Sequence, residues 1–230
     1  MCAITAGSKV LDVGSGLGGP ARYMASKTGC EVLAVEIQSD CSEKAKEYTS
    51  RCDLSRQISH VCLDVITCNM DELELQISDE STKISVFDVI TSWLVFLHIP
   101  EKEKLFSRLA KLCKTDGYIY CEDFYQKNPF TEEESKSLKE DVYVTELTDK
   151  DTYISELEKA GFEVLSFEDV TSSWTNFVQN RRDTYVTNKE RTLQVHGEAT
   201  YFSQLYFFDA MKFLFTGGNL GGVRYLAKKL

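Results

Sequence analysis

The chain has no surplus of basic residues: 26 lysines and arginines stand against 36 aspartates and glutamates, giving a formal net charge of -10. Phosphate backbones and anionic lipid surfaces call for a dense positive face, so nucleic acid and membrane surface are poor partners and a small molecule is the better one. Long apolar runs are lacking too. Val86 to Ile90 and Trp93 to Leu97 fall far short of the roughly 20 residues that a spanning helix needs. The first residues have neither the charged nor the apolar block of a secretory leader, so the expected compartment is the cytoplasm. Among the eight cysteines there is no C-x-x-C pair and no zinc-ligand spacing, so no metal site is expected and the thiols should be reduced. Internal repeats and low-complexity linkers are also missing.

With 43% hydrophobic and 27% charged residues in 230, the composition is that of one folded domain spanning residues 1–230. Lys9 to Val13 reads as a buried strand running into a glycine-rich turn, with Pro20 placed to start a helix. Glu31 to Ile37 is the second strand. Ser39 is expected to cap a helix reaching about Arg51, with Glu43 completing a capping box. Ile58 to Leu63 is the third strand, residues 65–84 a loop with one short helix, and Ser85 to Thr91 a β-branched fourth strand. After Pro100, Leu105, Phe106, Leu109 and Leu112 follow helical spacing, and Thr115-Asp116-Gly117 turns into the strand Tyr118 to Phe124.

Strands alternating with helices imply a parallel sheet. Thr131 to Glu140 and Asp149 to Ala160 then read as helices, the first opened by a Thr131/Glu134 capping box and the second closed by Gly161. Phe162 to Val170 is a strand, residues 173–216 a helical insertion rich in aromatics, and Gly221 to Lys228 a closing strand. The fold class is therefore α/β: a Rossmann-like, doubly wound, mostly parallel seven-stranded sheet with helical insertions before its last strands. Residues 1–125 form a cofactor-binding half and 126–230 a substrate-side half.

In Leu11-Asp12-Val13-Gly14-Ser15-Gly16-Leu17-Gly18-Gly19, missing Cβ atoms let backbone approach a ligand closely, although a tight strand-to-helix connection would use the same residues. Glu36 follows Gly14 by 22 positions, near the separation at which an acid meets ribose hydroxyls. Asp64 ends the third strand, where it suits either an adenine amine or the start of an ordinary turn. Spacing alone leaves a dinucleotide open.

The run LDVGSGLGG, Glu36, Asp64 and the segment FDVITSWLVFLHIPEKEKLFSRLAKLCKTDGYIYCEDF resemble class I S-adenosylmethionine-dependent methyltransferases, in particular the phosphoethanolamine, sarcosine/dimethylglycine and sterol group. The likeness is strong over residues 8–125 and looser beyond, through an insertion and the ending GGNLGGVRYLAKK. It implies S-adenosylmethionine as cofactor. It also implies that Gly14, Ser15, Gly16 and Gly18 lie by its amino-acid part, Glu36 by the ribose, Asp64 and Val65 by the adenine, and Ser92 toward the methyl group, with Asp12 and Ile37 as further cofactor-binding residues.

An ammonium has no electron pair to attack a methyl carbon, so an amine acceptor must first lose a proton. His98 alone among the three histidines stands near the carboxyl end of a strand, and imidazole is the side chain that titrates nearest neutrality. In the resembling enzymes a histidine in the same L-H-[IL] setting belongs to the catalytic machinery, which casts His98 as general base; otherwise it orders the loop before Pro100. Two departures stand out: Leu94 replaces an acid of the phosphoethanolamine enzymes, and Phe124 replaces a tyrosine, with Tyr125 next.

Trp93, Tyr125, Trp174 and Arg181 are the candidate substrate residues. The aromatics suit a cage for methylated ammonium or an ordinary core, and the arginine suits an anionic group or a solvated face. The expected activity is methyl transfer to a small amine, phosphoethanolamine-like or sarcosine/dimethylglycine-like. A C- or O-methyltransferase on a larger apolar acceptor such as a sterol, or a silent cofactor-binding subunit, uses the same residues. Only eight residues precede Lys9, where the group has a helical cap, so a missing cap or a partner domain is expected.

Overall fold

The computed structural model describes residues 4–68, 87–144 and 146–230. Its strands form one sheet in the order β3-β2-β1-β4-β5-β7-β6. They are β1 (Lys9–Val13), β2 (Glu31–Glu36), β3 (Ile58–Cys62), β4 (Phe87–Trp93), β5 (Cys113–Gln126), β6 (Phe162–Asp169) and β7 (Leu220–Lys229). The first five are parallel, whereas β7 runs antiparallel to both β5 and β6. Successive side chains point to opposite faces, and β1 is buried on both. Leu11 and Val13 join Leu33, Val35 and Ile90 beneath Leu105, Phe106 and Leu109 of helix α3 (Lys102–Leu112), while Val10 joins Val32 and Val89 beneath Ala21 and Met24 of α1 (Gly19–Thr28).

The chain leaves β1 for β2 and β3, then crosses back to β4 on β1's other side. That reversal opens a crevice at the carboxyl ends of β1 and β4, the place where open α/β sheets take ligands. Over it lie α4 (Glu132–Glu140) and the pair α6 (Thr171–Thr187) and α7 (Lys189–Gly217), with α5 (Lys150–Lys159) outside. Leu97, Phe124, Leu138, Val142, Met211, Leu214 and Phe215 weld these helices to the sheet edge. No helix among the described residues is long and apolar enough to cross a membrane.

Several sequence expectations need correction. Helix α2 (Ser39–Arg51) begins at Ser39 but is capped by neither Ser39 nor Glu43: Gln38 is the cap, with no side-chain cap bond, and its N–H goes to Glu36 Oε1 at 3.0 Å, so the strand-end acid steers the chain into the helix. Thr115-Asp116-Gly117 does not precede its strand, because β5 already starts at Cys113 and carries the turn as an irregularity in its pairing with β4. Asp116 takes φ +64 there, and its carboxylate meets Lys228 at 2.6 Å. The helical insertion begins at Thr171 and is two helices, the second kinked at Gly197. The expected loop and short helix fall mostly on residues 69–84, which with Ser85 and Val86 lie outside the described residues. The Thr131/Glu134 capping box is formed, at 3.1 and 2.8 Å. All seven cysteines among the described residues are free thiols.

Candidate active site

Two cavities meet at the crevice. The first, about 620 Å³, runs along the carboxyl ends of β1, β2 and β3. Gly14, Gly16, Glu36, Ile37, Asp64 and Val65 line it as the sequence proposes. Gly16 holds φ +50, with open space where a Cβ would stand, and its N–H donates to Glu36 Oε2 at 2.8 Å. At Gly14 a Cβ would fall 2.3 Å from the Val95 side chain, so glycine is what lets the β4 loop close on the turn. Both Asp64 oxygens serve their own turn, accepting from Ile66 N and Thr67 Oγ1 at 2.8 Å each.

The remaining expected cofactor residues stand behind this wall. Ser92 is fully buried and donates to Val13 O at 3.2 Å, strapping β4 to β1 instead of facing the cavity. Gly18, at φ +72, packs against the imidazole of His60, whose titration burial lowers to about 4, reinforced by Arg22 and Lys46. Asp12 is buried; burial raises its carboxyl to about 7 against the bond from Thr91 Oγ1 at 3.2 Å, with the charge of Glu36 adding to the rise. Asp12 Oδ2 and Ser15 Oγ are buried with no partner among the described residues, one just before the glycine turn and one within it.

The second cavity, about 790 Å³, lies between the sheet edge and α6 and α7. Trp174 and Arg181 line it, together with Phe124, Phe177, Phe208, Phe215, Glu122 and Asp141; the Glu122 carboxylate is paired with Arg224 at 2.9 Å, and that of Asp141 accepts from the Tyr206 and Ser137 hydroxyls at 2.9 and 2.7 Å. Phe124, Trp174 and Phe215 meet edge-on with ring centroids 5.4 to 6.2 Å apart. The guanidinium of Arg181 sits over the Phe208 and Phe177 rings at 5.5 and 5.9 Å. Two substrate expectations need correction. Trp93 lines the first cavity, since it ends β4 on the side of β1. Tyr125 lines neither: it is buried in the core, edge-on to Phe167, and burial with the charge of Asp169 pushes its hydroxyl up to about 12.

Among the described residues only Leu94, His98 and Tyr143 line both cavities. Leu94 and Tyr143 hold φ +56 and +58, left-handed backbone that costs on the order of 1–3 kcal/mol for such side chains and collects at functional sites. His98 closes a short 3₁₀ turn (Phe96–His98), and its Nδ1 lies 3.0 Å from the Tyr143 carbonyl. A carbonyl can only accept, so Nδ1 carries the proton and the neutral ring keeps its lone pair on Nε2. Sequence reasoning missed Tyr143 and also Glu122 and Asp141. Nothing in a tyrosine's identity signals a left-handed turn, and the carboxylates come from separate elements, β5 and the end of α4.

Residues 3–167 match the family described as a methyltransferase domain. The sarcosine/dimethylglycine N-methyltransferase of Halorhodospira halochloris is 26% identical over 226 residues, covering 96% of this chain and 75% of that enzyme. Phosphoethanolamine N-methyltransferase 1 of Zea mays is 32% identical over 200 residues, covering 85% of this chain but only 36% of its own length. Among solved structures, Haemonchus contortus phosphoethanolamine N-methyltransferase 2 with phosphomonomethylethanolamine and S-adenosylhomocysteine superposes with a TM-score of 0.86 at 20% identity, over 99% of this chain and 50% of that one.

Proposed function

The chain belongs to the methyltransferase domain family, and on that premise we propose that it moves the methyl group of S-adenosylmethionine to the nitrogen of a small amine. Bound in the first cavity, the cofactor would supply an electrophilic methyl carbon on a sulfonium. The residues there fit it: Glu36 would accept from a diol and the glycine turn would offer backbone at close approach, while behind them Asp12 Oδ2 and Ser15 Oγ have no partner among the described residues. The acceptor would enter the second cavity, its ammonium drawn by Asp141 and faced by aromatic rings. Nε2 of His98 would take the proton that frees the nitrogen lone pair, and the walls would hold the two reactants in line. Arg181, which lines the same cavity, would meet a carboxylate or phosphate at the acceptor's other end.

The observation that carries this reading is the shared position of His98, on the boundary of both cavities. One observation favours a second reading: a cavity near 790 Å³ walled by Phe124, Trp174, Phe208, Met211 and Phe215 is ample for a larger apolar acceptor such as a sterol, which would need no base at nitrogen. The deciding experiment incubates the full chain with methyl-labelled S-adenosylmethionine and, separately, sarcosine, dimethylglycine, phosphoethanolamine and an unsaturated sterol, reading product mass. Methylated amine supports the first reading and methylated sterol the second. Cofactor binding without any product would leave a silent subunit.

A further inference from the structure

The two residues flanking His98 are each tied to a buried charge. On one side the Leu97 N–H donates to Asp123 Oδ2 at 3.0 Å; on the other the Lys102 ammonium donates to the Ile99 carbonyl at 2.5 Å. Asp123 ends the inner part of β5 at 0% exposure and Lys102 opens α3 at 3%. Both charges are spent on the backbone around His98: the other Asp123 oxygen accepts the Phe124 N–H at 2.7 Å, and Lys102 also reaches the Glu146 carbonyl at 3.4 Å. Burying opposite charges is costly unless they fix something that apolar side chains would leave loose. Here they fix three consecutive residues whose middle member lies where the two cavities meet.

We infer that Asp123 and Lys102 are positioning residues for His98, clamping the turn on either side so that Nε2 stays on the boundary between cofactor and acceptor. The inference rests on the reading of His98 as general base. The clamp is sensitive to protons. Burial raises the Asp123 carboxyl to about 7, opposed by the Phe124 N–H, the Lys102 charge and the Leu97 N–H, and burial lowers the Lys102 ammonium against the charges of Asp123, Glu146 and Glu156. Facing Asp123 are Lys102 from α3, Tyr153 from α5 and Cys121 on its own strand; burial holds the latter two neutral by raising both well above their ordinary values. Of this set, Asp123 changes charge nearest pH 7. As the pH falls through about 7 the carboxylate is neutralised and its hold on Leu97 weakens.

Amide hydrogen exchange on the wild-type full chain tests the clamp without any acceptor. Protection of the Leu97 amide, corrected for intrinsic rate, should fall severalfold between pH 8 and 6, and that loss should vanish in Asp123→Asn. In single turnover with whichever of sarcosine, dimethylglycine or phosphoethanolamine is methylated, Asp123→Asn and Lys102→Met should each slow transfer about 10 to 10²-fold, the penalty of a misplacement near 1 Å. KM for the cofactor should stay within about threefold. The wild-type rate should drop below pH 7 more steeply than in Asp123→Asn. Protection independent of pH, equal steepness in the two proteins, or cofactor KM rising in step with the lost rate would overturn the clamp. If none of the three amines is methylated while Leu97 protection behaves as stated, the amine reading falls and the clamp stands.

Discussion

The His98 imidazole is held by the main chain of Tyr143, a residue 45 positions away, through a 3.0 Å bond from Nδ1 to the carbonyl. The bond selects the ring tautomer and ties the imidazole to the α4–α5 connection, where the two cavities meet. A ring aimed by backbone keeps its direction whatever side chain occupies position 143, so in Tyr143→Ala the acceptor KM should rise by a larger factor than single-turnover transfer slows.

Replacing His98 with Ala should lower single-turnover methylation of an amine about 10² to 10⁴-fold, the range for a positioned general base, with cofactor affinity unchanged within a few fold. His98→Asn keeps a donor to the Tyr143 carbonyl but has no basic nitrogen. It should be as slow as the alanine variant, and near-normal turnover in either would remove His98 from the chemistry.

Glu36 does two things at once: it accepts the Gly16 and Gln38 N–H groups and faces the cavity. Glu36→Ala should weaken S-adenosylhomocysteine binding by about 1–3 kcal/mol in calorimetry, as unmatched buried donors and hydroxyls require. Unchanged affinity would place the nucleoside elsewhere.

On β7, Gly222 is the bed on which Trp174 lies: a Cβ there would stand 2.5 Å from the indole. Gly222→Ala should push the ring into the acceptor cavity, destabilise the fold by about 1–3 kcal/mol as overpacking does, and raise the acceptor KM while leaving cofactor affinity alone. A variant with unaltered KM would show that Trp174 does not shape the acceptor's space.

His60 gives a stability test with a defined sign. Its buried ring bonds Thr49 Oγ1 at 2.8 Å and titrates near 4 in the fold against about 6.5 unfolded, so the unfolded chain binds the extra proton first. Its contribution is present above pH 6.5 and is lost as the pH falls toward 4. Urea midpoints for wild type should therefore drop across that window by more than those of His60→Gln, a difference absent between pH 7 and 8.

The elements whose sequence has one strong period were legible. β1, β2, β3 and α3 were read to within a residue or two because Leu11, Val13, Leu105 and Leu109 repeat at the spacing of the element that buries them. That the glycine turn and Glu36 line one cavity was legible because both sit at the carboxyl ends of adjacent strands, β1 and β2, at a local spacing. What stayed hidden depends on meetings between distant segments. Nothing local says that Ser92 turns inward to Val13, that Tyr125 fills the core behind Phe167, or that Leu97 and Ile99 are tied to Asp123 and Lys102. The β5 turn was misplaced for the same reason, since the pairing of Cys113 with Phe87 and the ion pairs of Lys114 with Asp88 and Asp116 with Lys228 are all made with distant segments.

The reversed β7 dictates an order of assembly. Among the described strands β6 pairs only with β7, and β7 also completes β5, so both wait for residues 220–229. A nascent chain will have made β1 to β5, and helices α6 and α7, before the strand that seats them leaves the ribosome. Until then the outer edge of β5 is an unpaired template, the kind of surface that recruits other chains. Substitutions in the last ten residues should therefore reduce yield from cells well before they reduce the activity of the protein that does fold.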